Sequence, residues 1–515
     1  MKQGYPGLAV HPAPFLCHPA EAFRAIAGEP WAFLLDSALN SSLGRYSFFG
    51  TRPFLTFVSK GNHIVIQSPQ DAGLHAAVTL SGNPFEVLRG LLQRYSTPNL
   101  PHRLPFVGGA VGYFGYDLCH FLERLPRQAE DDLGFPDCAL GFYDVVVAFD
   151  HVLGKGLVFS SGLPETEPRA AGKRARARIE ELLSALDDAA RPQEDAAQVA
   201  QGVRADADQR LESEGPAAFS ANFARDEYLD AVCRAKEYIA AGDIYQVNLS
   251  QRFEVPIQAA PFTVYEVLRQ ASPAPFAAFL NFPDVAVASA SPERFLRIGG
   301  RVVQTRPIKG TRPRGENPNE DEALARELLS SGKDLAENTM IVDLERNDLG
   351  RVCRYGSVKV TEFAALEAYS NVFHLVSTVE GELQPAVGPL ECLTACFPGG
   401  SITGAPKIRA MQIIDELEPT CRSVYTGAIG YIGWDGNMDL NIVIRTLLMA
   451  KGRGRFQVGG GIVADSEPEA EYQETLDKAA GLFATLARPT GGEASDGLRE
   501  KQALAGAAAS VRQPR

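Results

Sequence analysis

Apolar and polar positions alternate in short runs over residues 31–58, WAFLLDSALNSSLGRYSFFGTRPFLTFV, with Ser, Asn and Gly between the runs. That pattern predicts strands joined by turns. PFVGGAVGYFGYDLCHFLERLP reads as a glycine-punctuated strand or turn leading into a short helix, and ALGFYDVVVAFDHVLGKGLVF as two β-rich runs around a hairpin turn. The first 160 residues thus predict a mixed layer of sheet and helices. Over residues 165–218 the apolar periodicity fades into Ala, Arg, Glu, Asp and Gln. One solvated helix, RAAGKRARARIEELLSALDD, is expected there, followed by a polar linker.

Periodicity returns in FARDEYLDAVCRAKEYIAAGDIYQVNLSQRFEV. Tyr228, Val232, Ala235 and Ile239 share one helical face, Gly242 supplies a stop, and a strand follows. Next come strands in PFAAFLNF and VAVASASPERFLRI, a helix from about residue 334 to 349 closed by Gly350, and a strand in YSNVFHLVSTVEGEL. Blocks of strands with helices between them, rather than a regular βαβ alternation, predict an α+β fold and not a doubly wound parallel sheet. The expected organisation is an N-terminal region over 1–160, a charged Ala-rich insertion over 161–220, a second region over 221–487, and a fraying tail over 488–515.

Composition narrows the function classes. With 515 residues, 45% hydrophobic and 22% charged, the chain can build a large core without disulfide staples. A formal net charge of −13 argues against a general nucleic-acid or anionic-membrane surface and leaves small molecules and proteins as partners. The eight cysteines include no CxxC pair, which reads as reduced, mostly buried thiols. MKQGYPGLAV has no apolar signal core and no window approaches a membrane span, so a cytoplasmic location is expected.

Four segments of the C-terminal half place polar groups where a core would not want them. Glu293 sits at a strand end in SPERF, and Lys309 is the one amine in RPIKGTRPRG, between Ile308 and Gly310. In SGKDLAENTMIVDLERNDLG, an apolar stripe of Ala336, Met340 and Leu344 would hold Glu337 stiffly at its edge. In EAEYQETLDKAAGLF, Glu471, Glu474 and Lys478 project from one side of a helix. Stiff carboxylates on two helices, with no His or Cys cluster, suit Mg2+, which takes one or two protein carboxylates and completes its shell with water and an anionic substrate. Taken singly, each of these groups reads equally as a solvated surface charge.

Anion cradles complete the picture. CFPGGSITGAPKIRAMQIIDELEP has the G-x-x-x-x-G spacing of a phosphate loop, but APK replaces the Lys-Ser/Thr that would reach phosphate and metal. What remains is a turn carrying Ser401 and Thr403 that feeds a helix N-terminus, a natural seat for a carboxylate. VGGGIVADS reads as a second backbone nest, and Arg445, in the apolar strand DLNIVIRTLLM, needs an anion nearby.

In this order, SPERF, GTRPRG, LAENTMIVDLERNDLGRV, HLVSTVEG, FPGGSITGAPKIRAM, YTGAIGYIG and GGGIVADSEPEAEYQET resemble the chorismate-utilising enzymes. That family includes the anthranilate synthase large subunit, aminodeoxychorismate synthase component I, and the isochorismate and salicylate synthases. The resemblance covers residues 223–486 strongly and extends through LLDSALNSSLGRYSFFG and GGAVGYFGYDL. It implies antiparallel β-sheets packed face to face as a β-sandwich core surrounded by helices. It also implies Glu337 and Glu474 as Mg2+ ligands with Glu471 close by, Glu293 as general acid/base at the C4 hydroxyl, and His374 beside the ring. Thr311, Ser401, Thr403, Arg445, Gly461 and Lys478 would bind substrate.

Within the family, the residue at Lys309 separates branches. Anthranilate synthases have alanine there, whereas a lysine resembles aminodeoxychorismate synthase, in which the amine attacks C2 before ammonia adds at C4. Isochorismate and salicylate synthases also have a lysine in this region but lack the N-terminal segment. The resemblance therefore implies formation of 4-amino-4-deoxychorismate, a step toward 4-aminobenzoate and folate. Anthranilate synthase component I is the alternative. None of the cysteines lies in a glycine-flanked elbow, so a separate glutamine amidotransferase is expected to supply ammonia and a separate aminodeoxychorismate lyase to act downstream. LLDS matches the tryptophan-binding region of the related enzymes, with Ser37 in the serine position; APFAAFL stands where feedback-regulated members have SPYMFY. Ser37 is accordingly either a tryptophan-site residue or a turn former.

Overall fold

The computed structural model describes residues 8–13, 18–39, 43–69, 77–97, 104–190, 219–369 and 372–487. The polar linker and the C-terminal tail expected from the sequence lie outside these residues, as does Cys17. Among the described residues the fold is α+β, built on two twelve-stranded sheets. The first sheet runs from Ala9–Pro12 through Tyr46–Gly50, Ala32–Asp36 and Phe276–Asn281 to Arg453–Ile462 and Gln246–Pro256. The second runs from Ile308–Pro313 and Val372–Glu382 through Arg294–Gly299 and Met438–Ile442 to Gly109–Phe114 and Val78–Ser81. Each sheet draws strands from both the 1–160 and 221–487 regions, so the two regions share one core.

That core lies between the sheets, where Phe33 and Phe48 of the first meet Tyr113, Phe142 and Tyr431 of the second. Each fully buried aromatic side chain of this kind stabilises the fold by about 1.5–3 kcal/mol. A second cluster, with Phe23, Phe262, Phe279 and Phe456, fills the space under the outer helices.

Several connections pass from one sheet to the other, and these crossovers decide where polar groups go. ALGFYDVVVAFD, expected as one run, is two strands, Cys138–Tyr143 in the second sheet and Val145–Asp150 in the first. Asp144 at the switch is fully buried and accepts from Arg178 Nε at 3.3 Å. Arg178 belongs to the helix Pro168–Ala190, which covers the predicted solvated helix but is not solvated all round: Ile179, Leu182 and Leu186 are buried in the second cluster. DLNIVIRTLLM is likewise not one strand; Met438–Ile442 and Thr446–Ala450 belong to different sheets, and Arg445 occupies the break with φ +50°. Glu293 stands at a third crossover, between Ala286–Ser291 and Arg294–Gly299.

Two further expectations are corrected. In the helix Gly332–Gly350, capped by the Ser331 side chain, Ala336 is exposed and the buried face is Asn338, Ile341, Val342, Glu345, Asp348 and Leu349. Each of these polar residues has at least one partner: Asn338 accepts from Ser377 Oγ at 2.7 Å, Glu345 from the Gly400 amide at 3.0 Å, and Asp348 pairs with Lys407, while Asn338 Nδ2 and Glu345 Oε2 have none among the described residues. The glycines of VGGGIVADS are not a nest. They end the strand Arg453–Ile462, with Gly461, Gly460 and Gly459 opposite Asn248, Leu249 and Ser250.

Candidate active site

Lys309 lies on Ile308–Pro313, whose pairing with Val372–Glu382 slips between Ile308 and Thr311. A bulge of this kind re-aims side chains. Gly310 makes it possible with φ +84°; a Cβ there would lie 2.9 Å from Leu328 Cδ1. The Lys309 amine donates to the Ser401 carbonyl at 2.9 Å and forms no ion pair among the described residues. Burial lowers its pKa below the ordinary lysine value, opposed by the charges of Glu337, Glu293 and Glu474, while Lys478 acts in the same direction as burial.

Glu293 is 5% exposed and turns toward the same turn. Its Oε1 accepts from the Ile308 amide at 3.4 Å, and the Ser401 hydroxyl bonds to its carboxyl. Burial raises its pKa, and Ser401, Lys309 and Arg445 pull it back. A carboxyl poised in this way suits proton transfer to a leaving hydroxyl. Backbone bonds lock two crossovers together here: the Ile442 amide donates to Glu293 O and the Ala290 amide to Arg445 O, each at 3.0 Å. The Arg445 guanidinium has no ion pair or hydrogen-bond partner among the described residues, and burial lowers its pKa. A buried guanidinium without such a partner is free to receive an anion.

His374, on Val372–Glu382, is 1% exposed, with Nδ1 2.8 Å from Thr311 Oγ1 and Nε2 without a partner among the described residues. Burial, followed by Arg445, lowers its pKa to about 3, so the ring is neutral. In the turn Gly400–Ile402, Ser401 presents its carbonyl and hydroxyl to the site. The Thr403 hydroxyl instead turns back onto Gly399 O at 3.0 Å, so its side chain stabilises the turn rather than facing the cleft.

The helix Pro468–Ala487 brings Glu471, Glu474 and Lys478 to one side, as their spacing predicts. Lys478 pairs with Glu474 at 2.6 Å and donates to Gly459 O at 3.0 Å. Burial would raise the Glu474 pKa, but Lys478, Lys333 and Lys309 together leave it below the usual value. Glu471 accepts from Ser466 Oγ at 2.6 Å, and its Oε2 is buried without a partner. Across the cleft, Glu337 has its pKa raised by burial against the pull of Lys309 and Lys333.

Among the described residues no group of three or more His, Cys, Asp or Glu stands close enough to hold a metal ion alone. The donors still fit a hard divalent ion completed by water and substrate: the orphaned Glu471 oxygen faces the strand where Gly460 has no side chain, and a Cβ there would lie 3.0 Å from Glu471 Oε2 and 3.4 Å from Glu474 Oε1.

The sequence reading missed Gln246, Asn248 and Glu345. Gln246 and Asn248 share one face of QVNLSQRF, a strand with polar residues at alternating positions, and that alternation was the available signal. Glu345 was hidden by the wrong choice of apolar stripe.

Ser37 makes no hydrogen bond to these groups among the described residues. It lines a cavity of about 730 Å³ with Asp36, Phe276, Arg294 and Asp439. Its hydroxyl donates to Tyr46 O at 2.7 Å and its amide to Ser47 Oγ at 3.0 Å. The described cysteines are all free thiols, and no described helix is long and apolar enough to cross a membrane.

Residues 50–484 match the model of the chorismate binding enzyme family. Anthranilate synthase component 1 of Pseudomonas aeruginosa is 42% identical over 472 residues, covering 91% of this chain and 93% of its own length. Aminodeoxychorismate synthase component 1 of Escherichia coli is 41% identical over 458 residues, covering 88% and 93%. The crystal structure of anthranilate synthase component I from Streptococcus pneumoniae superposes with a TM-score of 0.72 at 31% identity, covering 91% of this chain and 98% of that one. With its two antiparallel sheets and surrounding helices, the chain belongs to the chorismate-binding enzyme family and has the anthranilate synthase component I fold.

Proposed function

We propose that this enzyme converts chorismate and ammonia to 4-amino-4-deoxychorismate. The observation that carries the reading is the Lys309 amine, held by a main-chain carbonyl rather than by a carboxylate and lowered in basicity by burial. A lysine must be neutral to be a nucleophile. Neutral Nζ forms a bond to C2 as the ring double bonds shift and the C4–O bond breaks, and Glu293 gives its proton to the departing hydroxyl, releasing water. Ammonia then bonds at C4 with the reverse shift, the C2–N bond to Lys309 breaks, and the surplus proton returns to Glu293.

Arg445 and Lys478 would hold substrate carboxylates, with Gly461 and the Ser401 turn shaping the surface against them. Neutral His374, oriented by Thr311, would sit beside the ring and donate or accept at Nε2. Glu337 and Glu474, with Glu471 near them, are the residues that would hold Mg2+. Bound there, the ion would neutralise the ring carboxylate and offset the charge that shifts during elimination. Ammonia would come from a separate glutamine amidotransferase, and a separate lyase would act on the product, in the cytoplasm.

Anthranilate formation is the second reading, favoured by the similarity to the Pseudomonas aeruginosa protein. Chromatography of products from chorismate, ammonium and Mg2+ separates the two. The 4-amino product is expected, and Lys309→Ala should abolish it; anthranilate as the main product, or full retention of the 4-amino product in that variant, sinks the proposal.

A further inference from the structure

The Ser401 carbonyl accepts two hydrogen bonds. Lys309 Nζ donates to it at 2.9 Å and Asn248 Nδ2 at 2.8 Å. Asn248 is itself held from several sides: its Oδ1 accepts from Gln246 Nε2 at 3.1 Å, its amide donates to Thr403 O at 2.8 Å, and its carbonyl accepts from Arg422 Nη2 at 2.7 Å. Gln246 is fully buried and Asn248 half-buried, so the four bonds to Ser401, Gln246, Thr403 and Arg422 are what hold Asn248 in place. Gly461 opposite makes room for it, since a Cβ there would lie 2.3 Å from Gln246 Nε2 and 3.2 Å from Asn248 Oδ1.

We propose that Asn248 is a positioning residue for Lys309, which divides the Ser401 carbonyl with the amine and so fixes where the amine sits and how tightly it is held. The inference rests on the reading of Lys309 as the nucleophile. A carbonyl oxygen has two lone-pair directions. With one taken by Asn248, the other sets the direction of a Lys309 N–H and leaves the amine's own lone pair aimed away from the turn. An oxygen already engaged by one donor is also a weaker acceptor for a second, and a weaker acceptor favours the ammonium form less. The charged groups acting on Lys309 are Glu293 from the crossover, Glu337 from Gly332–Gly350, and Glu474 and Lys478 from Pro468–Ala487. The three carboxylates favour the charged amine, so loss of the Asn248 donor adds to their side.

Asn248→Ala and the near-isosteric Asn248→Asp both remove the donor. Competitive labelling of the full chain with acetic anhydride, without added divalent metal, followed by mass spectrometry of the Lys309 peptide, reads the neutral fraction of that amine against pH. Both variants should move the Lys309 titration upward by a few tenths of a pH unit, about the size of a partial strengthening of one hydrogen bond to a charged group. The aspartate variant should shift it further. Turnover near neutral pH should fall about twofold in kcat, with KM for chorismate unchanged. Where the alanine variant does not fold, Asn248→Ser, with a hydroxyl too short to reach Ser401, takes its place.

A Lys309 titration unmoved in folded variants overturns the proposal. Labelling does not involve chorismate, so the two readings fail separately. A shifted titration without any 4-amino product keeps the positioning role and removes the proposed reaction, whereas an unshifted titration removes the positioning role whatever the product.

Discussion

Thr311 Oγ1 and His374 Nδ1 stand 2.8 Å apart across the edge of the second sheet, on strands whose register places the two residues opposite one another. The contact orients the imidazole and leaves Nε2 buried without a hydrogen-bond partner among the described residues. Thr311→Val keeps the shape and removes the partner, so kcat should fall about tenfold while the fold is retained, as steady-state kinetics and circular dichroism would show.

The same histidine makes stability depend on pH. Its pKa falls from the ordinary 6.5 to about 3 in the folded chain, chiefly by burial. Between those values the unfolded chain binds a proton that the folded chain refuses, so stability rises with pH through this window. The contribution is complete above 6.5 and is lost progressively toward 3. Urea midpoints should therefore drop on acidification below about pH 6.5, and less steeply in His374→Gln.

Asp144 and Arg178 are both buried at the sheet crossover, and burial raises the Asp144 pKa against the pull of Arg178 and Arg174. Asp144→Ala would remove the buried partner of Arg178 and leave its guanidinium the exposed Glu181 carboxylate at 2.6 Å and the Arg52 carbonyl at 2.8 Å. Such a loss costs about 1–3 kcal/mol, which denaturant unfolding should register without a change in KM.

Glu337 and Glu474 reach the cleft from different helices. If they hold Mg2+, replacing either by glutamine should raise the magnesium concentration for half-maximal activity by at least about tenfold, and the thermal stabilisation given by the ion should shrink in parallel. Unchanged magnesium dependence in both variants would remove these residues from the metal site.

Tryptophan inhibition is not expected, because APFAAFL stands where feedback-regulated members of the family have SPYMFY. In the cavity beside Ser37, the Arg294 guanidinium lies 4.7 Å from the Phe276 ring centroid and pairs with Asp439 at 3.0 Å, and the Ser37 hydroxyl is committed to Tyr46 O. Initial rates with millimolar tryptophan test this; a dose-dependent fall would restore Ser37 as an effector-site residue.

What the sequence determined by itself was local and periodic. The face of Arg225–Ala240, the shared side of Glu471, Glu474 and Lys478, and the strands of YSNVFHLVSTVEGEL follow from the spacing of side chains along a helix or strand, which the chain carries whatever surrounds it. The motif set went further and pointed to the family and to Lys309, Glu293 and Glu337. Periodicity failed where polar groups are buried with partners. The inner face of Gly332–Gly350 contains Asn338, Glu345 and Asp348, whose partners Ser377, Gly400 and Lys407 are brought to them only by folding. Continuous apolar runs hid the sheet crossovers at Asp144 and Arg445 for the same reason: a strand can change sheets without a change in composition. Only the tertiary structure decided that Arg445 and Glu293 occupy neighbouring crossovers, and that Lys309 and Asn248, 61 positions apart, donate to one carbonyl. Such convergence depends on how the sheets and turns close upon one another, and the spacing of residues along the chain does not contain that closure.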